Sequence, residues 1–225
     1  MGPAGPITGA PPRVLDSAPG LCQFAIVNAP LVTGLLLAAG EGRRMGGPKA
    51  LLLDAVGVPY LERAIGTLFD GGCETVTVVL GAGAPEALVL LADGGWTDDP
   101  ELSVVVAQDY AEGMGASLRA GLASLSEPGP EAALVMLVDL PDVGAPVVRR
   151  LLDGAAQDSL ARATYAGQPG HPVLIGRSHW AGALATLTGD RGARAYLDAH
   201  GVKDIACDDL ATGRDLDRPD DLGLA

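Results

Sequence analysis

The sequence predicts an α/β fold with three layers, in which a mixed, mostly parallel sheet carries helices on both faces. From residue 31 onward, short apolar runs alternate with amphipathic segments, which is the βαβα pattern of largely parallel sheets. Hydrophobic residues make up 48% of the chain and aromatic residues only 4%, a balance typical of packed α/β layers. Ligands of such sheets bind outside the carboxyl ends of the strands, so we expect the functional site there.

The elements follow one another regularly in the first two thirds of the chain. Four apolar runs predict strands buried on both faces, at residues 31–38, 75–80, 102–107 and 132–138. Amphipathic segments predict helices at residues 58–69, 84–92, 114–125 and 145–156. Beyond residue 160, ARATYAG and HPVLIG predict two strands joined by a turn at Gln168, Pro169 and Gly170. Helices near 177–187 and 191–200 and a last strand at 202–207 complete the pattern.

Length and charge limit the organisation and the partners. The first 30 of the 225 residues are rich in Pro, Gly and Ala and predict a flexible tail, which leaves residues 31–225 as a single domain. The net charge of −13 disfavours nucleic acid and membrane partners. The three cysteines have no CxxC spacing, and no apolar run is long enough to span a bilayer. We therefore expect a cytoplasmic protein.

A glycine-rich, basic loop follows the first predicted strand. In LLLAAGEGRRMGGPKALL, glycines at 40, 42, 46 and 47 accompany Arg44 and Lys49, so that backbone N–H groups and cations can surround a triphosphate. A plain turn is less compatible with the basic residues. A dinucleotide loop of spacing G-x-G-x-x-x-G stays open, although no acidic residue ends the next strand. A P-loop is excluded, because GGPKA lacks G-K-[ST].

Further motifs follow in order: GMGASLRAGL at 113–122, LVDLPDV at 137–143, GHPVLIG at 170–176, GDRGAR at 189–194 and DLDRPDDL at 215–222. Together with the loop they resemble the nucleotidyltransferases that activate sugar phosphates, alditol phosphates and the molybdopterin cofactor. The chain is most similar to the MobA-like group and, within it, to the molybdenum-cofactor cytidylyltransferases. The resemblance covers about residues 32–222 and implies a Rossmann-like fold of the nucleotide-diphospho-sugar transferase type.

Two carboxylates are candidate ligands for Mg²⁺. Asp139 ends an apolar strand just before Pro141, where a carboxylate points into the ligand crevice; Asp142 is better placed to cap the next helix. The resemblance places a second ligand in the tail, and there its R-P-x-D-L portion favours Asp217 over Asp215, which stays possible. Asp217 has the alternative role of capping a terminal helix.

The resemblance also implies the remaining site residues. The nucleobase contacts the backbone of Leu37, Ala38, Ala39 and Gly40, where LAAG favours CTP over GTP. Gly42, Arg44, Lys49 and Ser117 bind the rest of the nucleotide, and His171, Arg191 and Arg194 bind the acceptor. Each of three residues also has a structural alternative: Ser117 as helix packing, His171 as a strand residue and Arg191 as a solvated side chain. Ala107, beside Gln108, stands where the family often has Asn, which leaves one base or ribose contact in doubt.

These residues predict transfer of a nucleotidyl group from CTP to a phosphorylated acceptor, with molybdopterin favoured. Arg44, Lys49 and Asp139, with Mg²⁺, are the predicted catalytic groups, and no side-chain nucleophile is required. A molybdoenzyme or its chaperone is a further partner that the resemblance implies. Three alternatives stay open: a sugar-phosphate or alditol-phosphate acceptor, a nicotinamide-dependent reductase, and a noncatalytic molybdopterin-binding or delivery protein.

Overall fold

The computed structural model describes residues 30–125 and 129–216, and the described strands form one seven-stranded sheet in the order β3-β2-β1-β4-β6-β5-β7. Its strands are β1 Val32–Ala38, β2 Thr75–Leu80, β3 Leu102–Val106, β4 Ala132–Leu137, β5 Leu160–Tyr165, β6 Gln168–Gly176 and β7 Lys203–Ala206. β1 to β4 run parallel to one another, and β6 runs antiparallel to both β4 and β5. The predicted flexible tail lies outside the described residues, except for Pro30.

In the described part of the chain, six α-helices cover the sheet: α1 Tyr60–Gly71, α2 Ala84–Asp93, α3 Met114–Ser124, α4 Ala145–Leu152, α5 Arg177–Leu184 and α6 Arg194–Ala199. On one face, side chains of α1, α2 and α4 share a buried cluster with Leu36 and Ala38 of β1. On the other face, α3, α5 and α6 pack with Leu35 and Leu37. Because alternate residues of a strand point to opposite faces, β1 contributes to both cores, and the predicted three-layer fold class is confirmed.

The order of the strands reverses between β1 and β4. The chain moves outward from β1 through β2 to β3 and then returns to place β4 on the other side of β1. The two strands pair in register from Val32 with Ala132 to Leu37 with Leu137, so they end side by side. Such a switch point opens a crevice at the strand ends, and the loops after β1 and β4 meet there.

The turn predicted between the ARATYAG and HPVLIG strands is wrong. Gln168, Pro169 and Gly170 lie inside β6, and the connection is Ala166-Gly167, with φ of 49° and 71°. Two successive residues with positive φ match the twist of a tight hairpin. The Ala166 N–H is bound by the carboxylate of Asp208, which explains how a non-glycine residue is held there.

Three smaller expectations also differ from the structure. β3 is only partly buried because it is an edge strand with β2 as its neighbour. The helix predicted to 156 ends at Leu152, before Gly154 with φ of 71°. Asp142 does not cap that helix, whose N-cap is Gly144; its carboxylate instead accepts hydrogen bonds from Thr212. Among the residues that the structure describes, no helix is long and apolar enough to cross a membrane.

Candidate active site

A cleft of about 480 Å³ opens at the carboxyl ends of β1 and β4, a size in the range of small-molecule sites. Its walls come from the ends of both strands, the glycine-rich loop, the start of α3 and the turn before α6. The lining residues are Leu37, Ala39, Gly40, Glu41, Gly42, Arg43, Arg44, Lys49, Tyr110, Ala111, Gly113, Met114, Ser117, Leu137, Val138, Asp139 and Asp190. The structure thus brings the predicted loop and the predicted carboxylate of Asp139 to one place.

The glycine-rich loop is shaped by Gly42. Its φ is +57°, and its carbonyl accepts hydrogen bonds from the N–H of Met45 at 2.8 Å and of Gly47 at 3.3 Å. A Cβ on Gly42 would lie 1.8 Å from the Gly47 carbonyl oxygen, so a side chain cannot fit without opening the loop. The Met45 side chain is buried and anchors the turn, which leaves Arg43 and Arg44 exposed at the cleft.

Lys49 and Asp139 join the two halves of the cleft. The Lys49 ammonium donates to Asp139 Oδ2 at 2.7 Å, and the two side chains are only 17% and 15% exposed. Partial burial strengthens an ion pair, because less water screens it. The pair holds the end of the loop against the end of β4, so Lys49 faces the crevice.

The other carboxylate oxygen of Asp139 fits a divalent cation. Asp139 Oδ1 is buried, and no described residue forms a hydrogen bond with it; such an atom is costly unless a ligand completes it. Oxygen is the donor that Mg²⁺ and Mn²⁺ prefer. Within residues 30–125 and 129–216, no three His, Cys, Asp or Glu residues are grouped to hold a metal. A divalent cation at Asp139 would therefore need further ligands from the nucleotide or from beyond this set.

The tail that carries the second predicted ligand returns to this point. The N–H of Leu216 donates to the Asp139 carbonyl at 3.0 Å, and the Leu216 side chain is buried in the core. Asp215, the alternative ligand, is exposed and is absent from the cleft lining. Asp217 lies outside the described residues, so its predicted role is untested.

The start of α3 forms the wall opposite the loop. Gly113 has φ of 114°, and a Cβ there would lie 2.3 Å from Asp190 Oδ1. Ser117 is buried beneath this wall but lines the cleft, which agrees with either of its predicted roles. The sequence did not predict Asp190 and Tyr110 as cleft residues. In GDRGAR it indicated only the two arginines, because no residue spacing shows that the Asp190 carboxylate lies beside the glycine at the start of α3.

The cleft lining includes neither Ala38, a predicted nucleobase contact, nor Ala107, which stands where the family often has Asn. The Ala38 side chain packs in the core, and Ala38 is absent from the lining although Leu37, Ala39 and Gly40 are present. Ala107 is buried and donates its N–H to the Leu80 carbonyl at 2.8 Å, while Gln108 is exposed. The side chain of Ala38 is thus structural, because it points to the face of β1 that packs against α1, α2 and α4.

The predicted acceptor residues do not line the cleft. His171 is the fourth residue of β6, and not a strand start as expected, and Arg194 begins α6. The pKa of His171 is lowered from 6.5 to about 4, mainly by burial; the charge of Arg194 adds to the lowering, and the charge of Asp215 opposes it. His171, Arg194 and Asp215 are therefore electrostatic neighbours, and the imidazole is neutral at pH 7. Arg191 is exposed in the short turn Gly189–Arg191.

Residues 34–205 match the model of the MobA-like NTP transferase domain. The chain belongs to the MobA-like NTP transferase family. Nicotine blue oxidoreductase from Paenarthrobacter nicotinovorans is 38% identical over 200 residues, covering 84% of this chain and 94% of that protein. A probable molybdenum cofactor guanylyltransferase from Mycobacterium ulcerans is 27% identical over 201 residues, covering 87% and 93%. The predicted MobA-like resemblance is thereby confirmed.

A solved structure of the same fold is that of Rv0371c from Mycobacterium tuberculosis H37Rv. It superposes with a TM-score of 0.73 at 30% identity, covering 87% of this chain and 97% of that one. A crystal structure of the same protein in complex with manganese gives a TM-score of 0.65 at 28% identity, covering 80% and 89%. A structural relative of this chain has thus been solved with a divalent metal.

Gly42→Ala is expected to weaken binding of a nucleoside triphosphate by about tenfold or more, because the new Cβ forces the loop open and the positive φ costs about 1–2 kcal/mol. Gly47→Ala is the matched control, since a Cβ there meets no atom within 4 Å. Equilibrium dialysis of both variants with labelled nucleotide measures the difference. Equal affinity of the two variants would contradict a loop shaped by Gly42.

The depressed pKa of His171 predicts a loss of stability in acid. The unfolded chain takes up a proton near pH 6.5 and the folded chain near pH 4, so the contribution is complete above 6.5 and declines as pH falls toward 4. By pH 5 this loss is about 2 kcal/mol. Urea unfolding at pH 7 and pH 5 is therefore expected to differ less for His171→Asn than for the wild type; the same difference in both would refute a neutral His171.

Proposed function

We propose that this chain is a magnesium-dependent nucleotidyltransferase that transfers a nucleoside monophosphate, CMP in first place, to a phosphorylated acceptor and releases pyrophosphate. The observation that carries the proposal is the contact of Lys49 with Asp139 at 2.7 Å across the switch point, beside a loop built to bind anions. Family membership over residues 34–205 supports the same reaction class. Molybdopterin is the favoured acceptor, since relatives are named molybdenum cofactor guanylyltransferases.

In the proposed reaction, an acceptor phosphate oxygen attacks the α-phosphorus of the nucleotide in line, and the bond to the leaving pyrophosphate breaks. The loop amides and Arg44 bind the phosphates, and Lys49 neutralises the charge that develops on them. Asp139 Oδ1, which is buried and has no hydrogen-bond partner among the described residues, would hold Mg²⁺, with Asp217 as the proposed second ligand. When bound, the metal supplies charge neutralisation at the triphosphate.

The choice of nucleobase rests on the backbone of residues 37–40. The sequence there is LAAG, which in the family goes with CTP, whereas named relatives are guanylyltransferases. GTP is therefore the competitor to test against CTP. The proposed acceptor side consists of Arg191 and of the neighbours His171, Arg194 and Asp215. A molybdoenzyme or its chaperone is the proposed recipient of the product.

A second candidate is a nicotinamide-dependent reductase. A relative at 38% identity over most of both chains is named an oxidoreductase, and the loop retains the G-x-G spacing of Gly40 and Gly42 that suits a dinucleotide pyrophosphate. Reduced-cofactor oxidation that needs no divalent metal would favour this candidate.

One experiment separates these functions. The protein is incubated with ATP, GTP, CTP or UTP, Mg²⁺ and a panel of molybdopterin, sugar-phosphate and alditol-phosphate acceptors, and pyrophosphate is measured; a parallel arm follows NADH and NADPH absorbance. We expect pyrophosphate release from CTP, abolished by EDTA and lowered by about 100-fold in Lys49→Ala and Asp139→Asn. Lys203→Ala, an exposed lysine of β7, is the charge-matched control and is expected to retain full activity.

Other results of this experiment would change the nucleobase, the acceptor or the class of function. Release from GTP alone would correct the base, and release with a sugar phosphate would correct the acceptor. Oxidation of NADH or NADPH without pyrophosphate release would reject the transferase. Tight binding of molybdopterin without any turnover would favour a delivery protein.

A further inference from the structure

The segment after β7, residues 207–216, is here called the return segment, because it runs from the far edge of the sheet back to the end of β4. We propose that Asp142 is a positioning residue that fixes the return segment against Asp139, and thereby sets the affinity of the site for its divalent metal. The inference rests on the proposed function in one respect, namely that Asp139 is a metal ligand. It assigns a role to the second aspartate of LVDLPDV.

Asp142 grips the middle of the return segment. A single carboxylate oxygen, Oδ2, accepts hydrogen bonds from the Thr212 N–H at 2.6 Å and from the Thr212 hydroxyl at 2.5 Å. Both bonds are charge-assisted and short, which makes them stronger and more directional than neutral ones. They join residues 70 positions apart in the chain, so they constrain tertiary placement and not local conformation.

Two further contacts restrict the position of the return segment on the C-terminal side of Thr212. Gly213 has φ of 64°, and a Cβ there would lie 2.1 Å from Tyr165 Cδ2, so the segment is pressed against that ring. Three residues later, the Leu216 N–H binds the Asp139 carbonyl at 3.0 Å. The return segment is therefore fixed at Thr212, at Gly213 and at Leu216, and the last contact is on Asp139 itself.

The loop that carries Asp142 is itself held from the opposite side. Arg63 of α1 donates to the Pro141 carbonyl at 2.6 Å, one residue before Asp142. The turn after β4 thus connects α1 on one side to the return segment on the other. Because Asp139 and Asp142 share this short turn, the hydrogen bonds of Asp142 to Thr212 hold the return segment in place. They thereby support the contact of the Leu216 N–H with the Asp139 carbonyl.

This arrangement has a defined consequence for metal affinity. A carboxylate binds a cation well only if it is already held in place, and loss of a group that orients a ligand commonly lowers metal affinity by about 10-fold to 100-fold. Asp142 and Thr212 are exposed, so their bonds add little to overall stability. Their removal is therefore expected to affect metal binding far more than folding.

The test measures Mn²⁺ binding by electron paramagnetic resonance titration of the full chain, with and without CTP and in the absence of acceptor. Asp142→Ala is expected to raise the Mn²⁺ dissociation constant by about tenfold or more with little change in Tm. Asp142→Asn keeps an acceptor oxygen and is expected to restore most of the affinity. Thr212→Val keeps the N–H and removes the hydroxyl, so an intermediate loss is expected.

Asp99→Ala is the matched control, since that carboxylate accepts a single backbone hydrogen bond from Glu101 just before β3, and wild-type Mn²⁺ affinity is expected. If Asp142→Ala and Thr212→Val both bind Mn²⁺ as the wild type does, Asp142 has no positioning role. Failure of Asp142→Asn to recover affinity would likewise overturn the proposal. A wild type that binds Mn²⁺ but releases no pyrophosphate would refute the proposed function alone, whereas a wild type that binds no Mn²⁺ would refute both.

Discussion

The ion pair between Lys49 and Asp139 is the interaction on which the rest of the site depends. Its partners come from the loop after β1 and the end of β4, the two strands that flank the switch point, and Nζ lies 2.7 Å from Oδ2. Both side chains are mostly shielded from water, so the pair also requires that each charge keep a partner. In the proposed function, the phosphates of the nucleotide would become a partner of Lys49, and the metal ion would become a partner of Asp139.

Packing behind the cleft explains why this pair can form. β1 is buried along its whole length, and its alternate residues serve the cores on both faces, so its end is fixed by both helix layers. Residue 81 must be glycine because Ala39 and Tyr110 pack closely against its backbone. A Cβ on Gly81 would lie 2.8 Å from the Ala39 Cβ and 2.7 Å from the Tyr110 Cβ. The cleft floor and its aromatic wall therefore meet where β2 ends. Mechanistically, a rigid floor holds the loop amides and the carboxylate in fixed relation before any nucleotide binds.

Sequence reasoning located the β1 loop, Lys49 and Asp139, because strand-end position and glycine content are local signals. It failed where tertiary contacts decide. The hairpin turn at Ala166 depends on the carboxylate of Asp208, 42 residues away, and Asp142 holds Thr212 instead of capping α4. Asp190 reaches the cleft only because Gly113 leaves space for it. The proximity of His171 to Arg194 and Asp215 could not be predicted either, because the GHP motif does not show which residues fold against it.

The central claim is that loop cations and the Asp139 carboxylate form one site for a metal-bound nucleotide. Isothermal titration of CTP, with Mg²⁺ and with EDTA, tests it directly on the wild type, Asp139→Asn and Lys49→Met. We predict that Asp139→Asn abolishes the gain in CTP affinity that Mg²⁺ gives the wild type, and that Lys49→Met weakens CTP binding under both conditions. An undiminished Mg²⁺-dependent gain in Asp139→Asn would contradict the account.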